Sequence, residues 1–339
     1  MVALLANALF LLLTLGMLWG AAALWYRLLL PPPWRQLTLG LWGLVALGLV
    51  ALGLQGQRVS ALGGQLVLLA VLLGWWFRLR PTHDRPWADD VLFLATGRVT
   101  GSRLTLDHVR CFEWRTRDEA RVRWEARHYD LGGLDSVDMI VSSWGRPAIA
   151  HVMVSFGFGG EDFVAFSVEV RRQKGERFSE IGGFFRQYEL AIVAADERDA
   201  VRLRSNLRGE EVRLYRIAMS RSAMRSLLVA YVKEANRLAK APRFYNTVTA
   251  NCTTLVFAMV RGIGVGLPLD HRLLLTGKLP DYAFELGGLW PGHSLDELKR
   301  RGRIVEQAQA ADADPAFSQR IREGVPGWAP GAVSSEDRT

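Results

Sequence analysis

Cysteine is nearly absent from this sequence: 339 residues carry two, Cys111 and Cys252. Two thiols exclude a disulfide framework and a cysteine-built metal centre, although one bridge between them stays compatible with the sequence. No metal and no cofactor are expected. Internal repeats are missing as well, which excludes a solenoid or propeller. A nucleic-acid motif is also lacking, despite a formal net charge of +8 and a pI near 9.9. The arginines are scattered along strands and helices, so nucleic acid is not an expected partner. Anionic lipid headgroups account for the basic balance more simply.

Charge itself is missing from three stretches: Met1 to Tyr26, Gln36 to Gln57 and Val59 to Phe77. A helix of about 20 residues crosses a hydrocarbon core of about 30 Å, and a bilayer leaves no other way to satisfy an isolated backbone. Three transmembrane helices are therefore expected over residues 1–80. A cleaved signal peptide is the weaker reading of the first stretch. Its apolar run is too long, it lacks a basic start, and no small-residue cleavage site stands out. Pro31, Pro32 and Pro33 separate the first two segments. Gly53, Gln55, Gly56, Gln57, Arg58 and Ser60 form a tight hairpin between the second and third. Trp75 and Trp76 sit where an interfacial aromatic belt belongs. With the N-terminus in the cytoplasm, Arg27, Arg35, Arg78 and Arg80 fall outside and only Arg58 inside. The positive-inside rule thus favours a cytoplasmic globular domain.

Residues 81–328 read as one α+β domain, and 329–339 as a disordered tail. Leu104 to Trp114 suggests a strand of imperfect alternation, Thr116 to Glu119 a polar turn, and Arg121 to Ala126 a return strand. Met139 to Ser143 is a short strand. Ile149 to Phe158 and Phe163 to Val170 form a hairpin around Gly159 and Gly160. A short helix is expected over Glu197 to Asn206 and a strand over Val212 to Ile217. Ser220 caps a helix running to about Leu238, which Pro242 stops. Thr249 or Asn251 caps another, beginning near Cys252 and ending at Gly262.

The window Phe244-Tyr245-Asn246-Thr247-Val248-Thr249-Ala250-Asn251-Cys252-Thr253-Thr254 carries the most chemistry. A cysteine in the first turn of a helix faces unpaired backbone N–H groups and the positive end of the helix dipole. Both favour thiolate, so the thiol should fall below its ordinary pKa. The same N–H groups can stabilise an oxyanion. The bland alternative is a small buried cysteine, but Asn251, Thr253 and Thr254 suggest a cleft wall. Of six histidines, His151 is unlike the others, because it interrupts the apolar run Ala148 to Phe156. It is either a satisfied core histidine or a placed base, and a helix-start cysteine favours the base. On the next strand Ser167 and Glu169 share a face, which makes Glu169 the candidate that orients His151. An ordinary exposed carboxylate beside Arg171 is the competing reading. Asn251, Thr253, Tyr245 and Ser167 are the candidates for substrate or oxyanion support.

His151 to Phe158 (HVMVSFGF), Phe166 to Arg171 (FSVEVR) and Phe244 to Thr254 (FYNTVTANCTT) resemble the Lnb N-terminal periplasmic domain family, over roughly Leu104 to Trp328. The resemblance implies a permuted NlpC-like, papain-like thiol domain in which a strand-borne His precedes a helix-borne Cys. It implies Cys252 as nucleophile and His151 as base. It also implies N-acylation of bacterial lipoproteins at the periplasmic face of the inner membrane, against the arginine count. The expected activity is transfer of a fatty acyl chain from a membrane lipid to a lipoprotein amine through a Cys thioester. A thiol peptidase or amidase acting on cell-wall peptides is the alternative, and a non-catalytic membrane-anchored binding domain the third. The roughly 26 residues between Phe77 and Leu104, read as flexible coil, span only about 25–30 Å and hold the cleft near the headgroups.

Overall fold

The computed structural model describes residues 1–328 apart from 146, 147, 265 and 274, together with every described side chain except that of Val2. The expected tail over 329–339 lies outside the described residues. The chain divides into two compact units, Met1–His83 with Phe178–Tyr188, and Asp84–Arg177 with Glu189–Thr339. The chain therefore passes between them three times, at 83/84, 177/178 and 188/189.

The first unit holds α1 (Val2–Arg27), α2 (Pro32–Leu54) and α3 (Arg58–Arg78). Their apolar spans of 25, 23 and 21 residues are each long and apolar enough to cross a membrane. Pro32 and Pro33 stand in the first turn of α2, where a missing N–H costs nothing. Gly56 turns the chain between α2 and α3 with φ of +91°, a conformation that glycine adopts without strain. Close packing at Gly20, where a Cβ would meet the Trp42 ring at 2.4 Å, lets α1 and α2 approach. Two polar side chains inside this unit donate within it: Trp42 Nε1 to the Met17 carbonyl, and Gln65 Nε2 to Thr14 Oγ1.

The second unit is built on one mixed sheet. Its strands are β1 (Thr96–Thr100), β2 (Arg103–Arg110), β5 (Trp124–Asp130), β6 (Leu134–Ser143), β7 (Ala150–Phe158), β8 (Asp162–Arg171), β9 (Glu189–Ala195) and β10 (Glu211–Arg216). A separate two-residue pair, β3 (Glu113–Trp114) with β4 (Ala120–Arg121), closes the polar turn. The order is β1-β2-β9-β8-β7-β6-β10, with β5 added on β2. All neighbours run antiparallel except β2 and β9. The uneven alternation near Leu106 is a bulge: the β2–β5 register slips between Leu106 and Val109, and His108 takes φ of +59°.

Around the sheet lie α4 (Glu197–Arg202), which continues as a π-helical turn over Leu203–Leu207, α5 (Arg221–Lys240) and α6 (Cys252–Gly262). Ser220 caps α5 through Ala223 N–H, as its sequence predicts. Short helices follow over Leu279–Glu285, Leu295–Arg301, Val305–Ala310 and Phe317–Arg320. Met153, Val193 and Leu214 from the sheet pack with Val201, Ala308 and Phe317 from these helices in one core. The last of this packing is locked by Arg322, which is fully buried. It donates to Asp138 at 2.9 Å and to both oxygens of Glu197 at 2.7 and 2.8 Å, over the Phe163 ring.

The stretch expected as flexible coil is ordered. Trp87 pairs with Gln173, Asp89–Val91 forms a helical turn, and β1 precedes the strand expected first. Its longest run outside such elements is residues 79–86. The return strand begins at Trp124, not Arg121, because Ala120 and Arg121 pair with β3 instead.

Candidate active site

Strands β7 and β8 pair from Phe158 and Asp162 as far as Met153 and Ser167, where the ladder ends. His151 and Glu169 lie just beyond that last pair, so their side chains meet where the strands are no longer tied. Alternation puts Ser167 and Glu169 on one face. His151 Nε2 lies 2.6 Å from Ser167 Oγ and 3.3 Å from Glu169 Oε1. Ser167 donates its single proton to Glu169 Oε1 at 2.6 Å, so it accepts from His151. Nε2 therefore carries a proton.

The same carboxylate oxygen is also held by Arg204, whose Nη2 donates to Glu169 Oε1 at 3.2 Å. Arg204 belongs to the π-helical turn, a deviation frequent at functional sites. Behind it, Glu210 accepts from Ser142, the residue directly opposite His151 on β6. Arg204 also reaches Glu210 at 4.0 Å.

Cys252 opens α6, as its sequence predicts, with Asn251 as N-cap. The Asn251 side-chain Oδ1 accepts from the N–H groups of Thr253 and Thr254, each at 2.9 Å, and Thr254 Oγ1 accepts from Asn251 N–H at 3.0 Å. This capping box alters two expectations. Thr253 and Thr254 N–H are spent on the cap, which leaves the Cys252 N–H as the helix-start donor without a partner among the described residues. The Asn251 amide is also committed, donating to the Thr247 carbonyl at 2.7 Å. Asn251 thus acts through the helix and not on a substrate. Thr253 Oγ1 lies 4.0 Å from the sulfur. Asn251, Cys252 and Thr253 are all buried. Tyr245 is buried on the segment leading into α6. Ser167 stands on the histidine side, between imidazole and carboxylate, and not beside the sulfur.

The electrostatics couple these groups. Burial pushes the Cys252 thiol up, but the hydrogen bond and charge of His151, the Val152 backbone N–H and the Thr253 hydroxyl outweigh it, and the thiol is lowered overall. Burial pushes His151 down and Arg204 does the same. The Glu169 charge and bonds to Cys252 and Glu169 prevail, raising His151 to about 9. Burial would raise Glu169, yet the His151 charge and bond, Arg204 and Ser167 hold it well below the usual carboxylate range. Both shifts run toward a thiolate–imidazolium pair. Cys111 behaves oppositely. Burial pushes its thiol well up, Arg127 opposes this, and a bond to Glu125 adds to it. Both cysteines are free, so the bridge compatible with the sequence does not form.

Sequence reading missed Arg204, Glu210 and Ser142. An arginine among Val201, Leu203 and Ser205 on a short helix is a weak signal, since nothing local distinguishes it from a surface arginine. It also missed Tyr231 of α5, whose ring packs on Phe156 and Phe166. Its buried hydroxyl lacks a partner among the described residues. Burial first, and then the Cys252 charge, raise its pKa.

Fold and site together define a thiol–imidazole–carboxylate centre on an α+β sheet domain, carried by a chain with three helices of membrane-crossing length. The family model of the Lnb N-terminal periplasmic domain matches residues 120–277. The matched stretch contains His151, Ser167, Glu169, Arg204 and Cys252. No curated protein and no solved structure matches the chain. The chain is a membrane protein with a periplasmic domain, so the orientation favoured by the arginine count gives way. That count rests on five arginines around short loops, and the positive-inside rule is a bias of such counts.

Proposed function

We propose that this protein is a membrane-anchored, cysteine-dependent acyltransferase of the periplasmic membrane surface. It moves a fatty acyl chain from a lipid to a lipoprotein amine through a thioester on Cys252. The observation that carries this reading is His151, tied by Nε2 to Ser167 and Glu169 and lowering the pKa of the helix-start thiol. The order in the chain, strand-borne His before helix-borne Cys, is that of a permuted papain-like, NlpC-like domain.

The steps follow from the charges. The Cys252 thiolate attacks the ester carbonyl carbon, forming a C–S bond and placing negative charge on the carbonyl oxygen. The free Cys252 N–H and the positive end of α6 favour that oxyanion. Collapse breaks the ester C–O bond, and the His151 imidazolium gives its proton to the leaving lipid oxygen. Neutral His151 then takes a proton from the incoming amine as nitrogen attacks the thioester. The C–S bond breaks, an amide leaves, and the thiolate–imidazolium pair is restored. Glu169 keeps the imidazolium charged and oriented, and Ser167 relays its bond.

A lipid donor is supported by the three membrane-length helices. The test is full-length protein given a phospholipid with a labelled acyl chain and a synthetic lipoprotein peptide with a free N-terminal amine. Label should appear on the peptide amine with wild type and not with Cys252→Ala. Label released only as free fatty acid, or cleavage of cell-wall peptides in its place, contradicts the reading.

A further inference from the structure

Residues Phe178–Tyr188 follow β8 and precede β9, yet they group with the three helices and not with the sheet. Seven residues of this loop hold three exposed large apolar side chains, Phe178 (47%), Ile181 (56%) and Phe184 (48%). Single exposed apolar residues are ordinary on a soluble surface, but three so close together mark a contact face. Their exposure matches that of Leu15 (53%), Leu18 (65%) and Phe77 (65%) on α1 and α3, which face lipid if those helices span.

The loop is built to sit there. Gly182–Phe185 makes one 3-10 turn, and Arg186 closes it in the left-handed region with φ of +54°. The Tyr188 hydroxyl accepts from Ser179 N–H at 2.8 Å, folding the loop on itself. Phe185 turns inward, stacked on Tyr26 at 5.5 Å and tilted on Trp19 at 6.2 Å, in a core with Ala23 and Trp76. Arg186 donates to the Trp76 carbonyl at 2.9 Å and covers its ring at 4.6 Å. Ala23 and Trp19 lie four and eight residues before Arg27, the last residue of α1. At 1.5 Å per residue the loop reaches about 6–12 Å below that helix end. Interfacial elements bury an apolar face by about 5–10 Å. The tryptophans and Tyr26 at these helix ends form the aromatic belt expected at that depth.

We infer that Phe178–Tyr188 is a fourth membrane element, a loop seated at the headgroup–acyl boundary with Phe178, Ile181 and Phe184 against lipid. It rests on the three helices spanning the bilayer and stands whether or not Cys252 carries an acyl group. The loop makes two of the three chain crossings, so lipid holds the domain at a second point beyond residues 79–83.

The test uses full-length protein in phosphatidylcholine vesicles. Ile181→Cys and Phe184→Cys are placed in a Cys111→Ala, Cys252→Ala background and labelled with bimane, beside Arg117→Cys in the exposed β3–β4 turn. Doxyl-labelled lipid should quench both loop labels at least about twofold more than the turn label, and aqueous iodide should do the reverse. Because the variants can lose their fold, hydroxyl-radical footprinting of wild type in the same vesicles gives a second reading. Phe178, Ile181 and Phe184 should stay unmodified while exposed Val122 and Trp144 react. Iodide quenching equal at all positions, or free oxidation of the three loop residues, overturns the inference. Purified vesicles contain no other protein, so a loop made for a protein partner would give that same contrary result.

Discussion

Glu169→Gln removes one charge and almost no volume at the centre of the site. His151 stands at about 9 against an ordinary 6.5, a rise of about 2.5, and both burial and Arg204 work against that rise. The Glu169 charge is its largest upward cause. In the variant, Arg204 keeps its place 3.2 Å from the former carboxylate but has no counter-charge there, so it repels the imidazolium. The alkaline limb should fall by about 2 pH units or more, a cost near 3 kcal/mol to the charged imidazole. Near pH 7.5 the imidazolium fraction drops from nearly full to about a tenth to a quarter, so turnover falls roughly 4- to 10-fold. The thiolate loses its cation, and the acid limb of Cys252 alkylation should move up. Ser167→Ala keeps the charge and the 3.3 Å contact between Nε2 and Glu169, so it should shift the limb less. The assay is the rate of Cys252 alkylation by iodoacetamide and of acyl transfer from about pH 5 to about pH 11, with melting temperatures for each variant. An alkaline limb that stays near 9 in a folded Glu169→Gln protein refutes the assignment of Glu169.

His151→Ala should reduce acyl transfer by about 10²–10⁴-fold with the melting temperature kept, and adding Glu169→Gln should cost little more, because the two act as a unit. Recovery of activity by stabilisation alone would mean that His151 is only a core residue. Iodoacetamide should label Cys252 in the folded protein and leave Cys111 untouched until denaturant is added; equal rates contradict the split, since one thiol is lowered and the other raised. Arg322→Met leaves the Glu197 carboxylate buried without a counter-charge and should cost about 3–5 kcal/mol in denaturant melts; a loss below about 1 kcal/mol would show that the buried pair is not structural.

Much of this was legible because it follows from local rules. The charge-free runs determine the helices, Ser220 and Asn251 announce their caps, and alternation puts Ser167 and Glu169 on one face. His151 stood out because an imidazole interrupts an apolar strand. The misses are non-local. β9 is a short apolar run, Leu190 to Ala195, whose place in the middle of the sheet depends on partners far away in sequence. Arg204 matters through its contact with Glu169, 35 residues away, and nothing near it in the chain signals that. The Phe178–Tyr188 loop reads as part of the soluble domain, because its aromatic contacts are with helices more than 100 residues earlier. The capping box hid a subtler point. The N–H groups that make a helix start attractive as an oxyanion site are the same ones a good cap consumes.

The central claim is that Cys252 is a nucleophile that carries an acyl group, and intact mass tests it most directly. Full-length protein is incubated with phospholipid and no amine acceptor, quenched in acid, and weighed beside Cys252→Ala and His151→Ala. The account predicts a mass gain of one fatty acyl group on wild type, mapped to Cys252, removed by neutral hydroxylamine and absent from both variants. An unchanged mass for wild type under conditions where it transfers acyl groups, or the same adduct on Cys252→Ala, contradicts it.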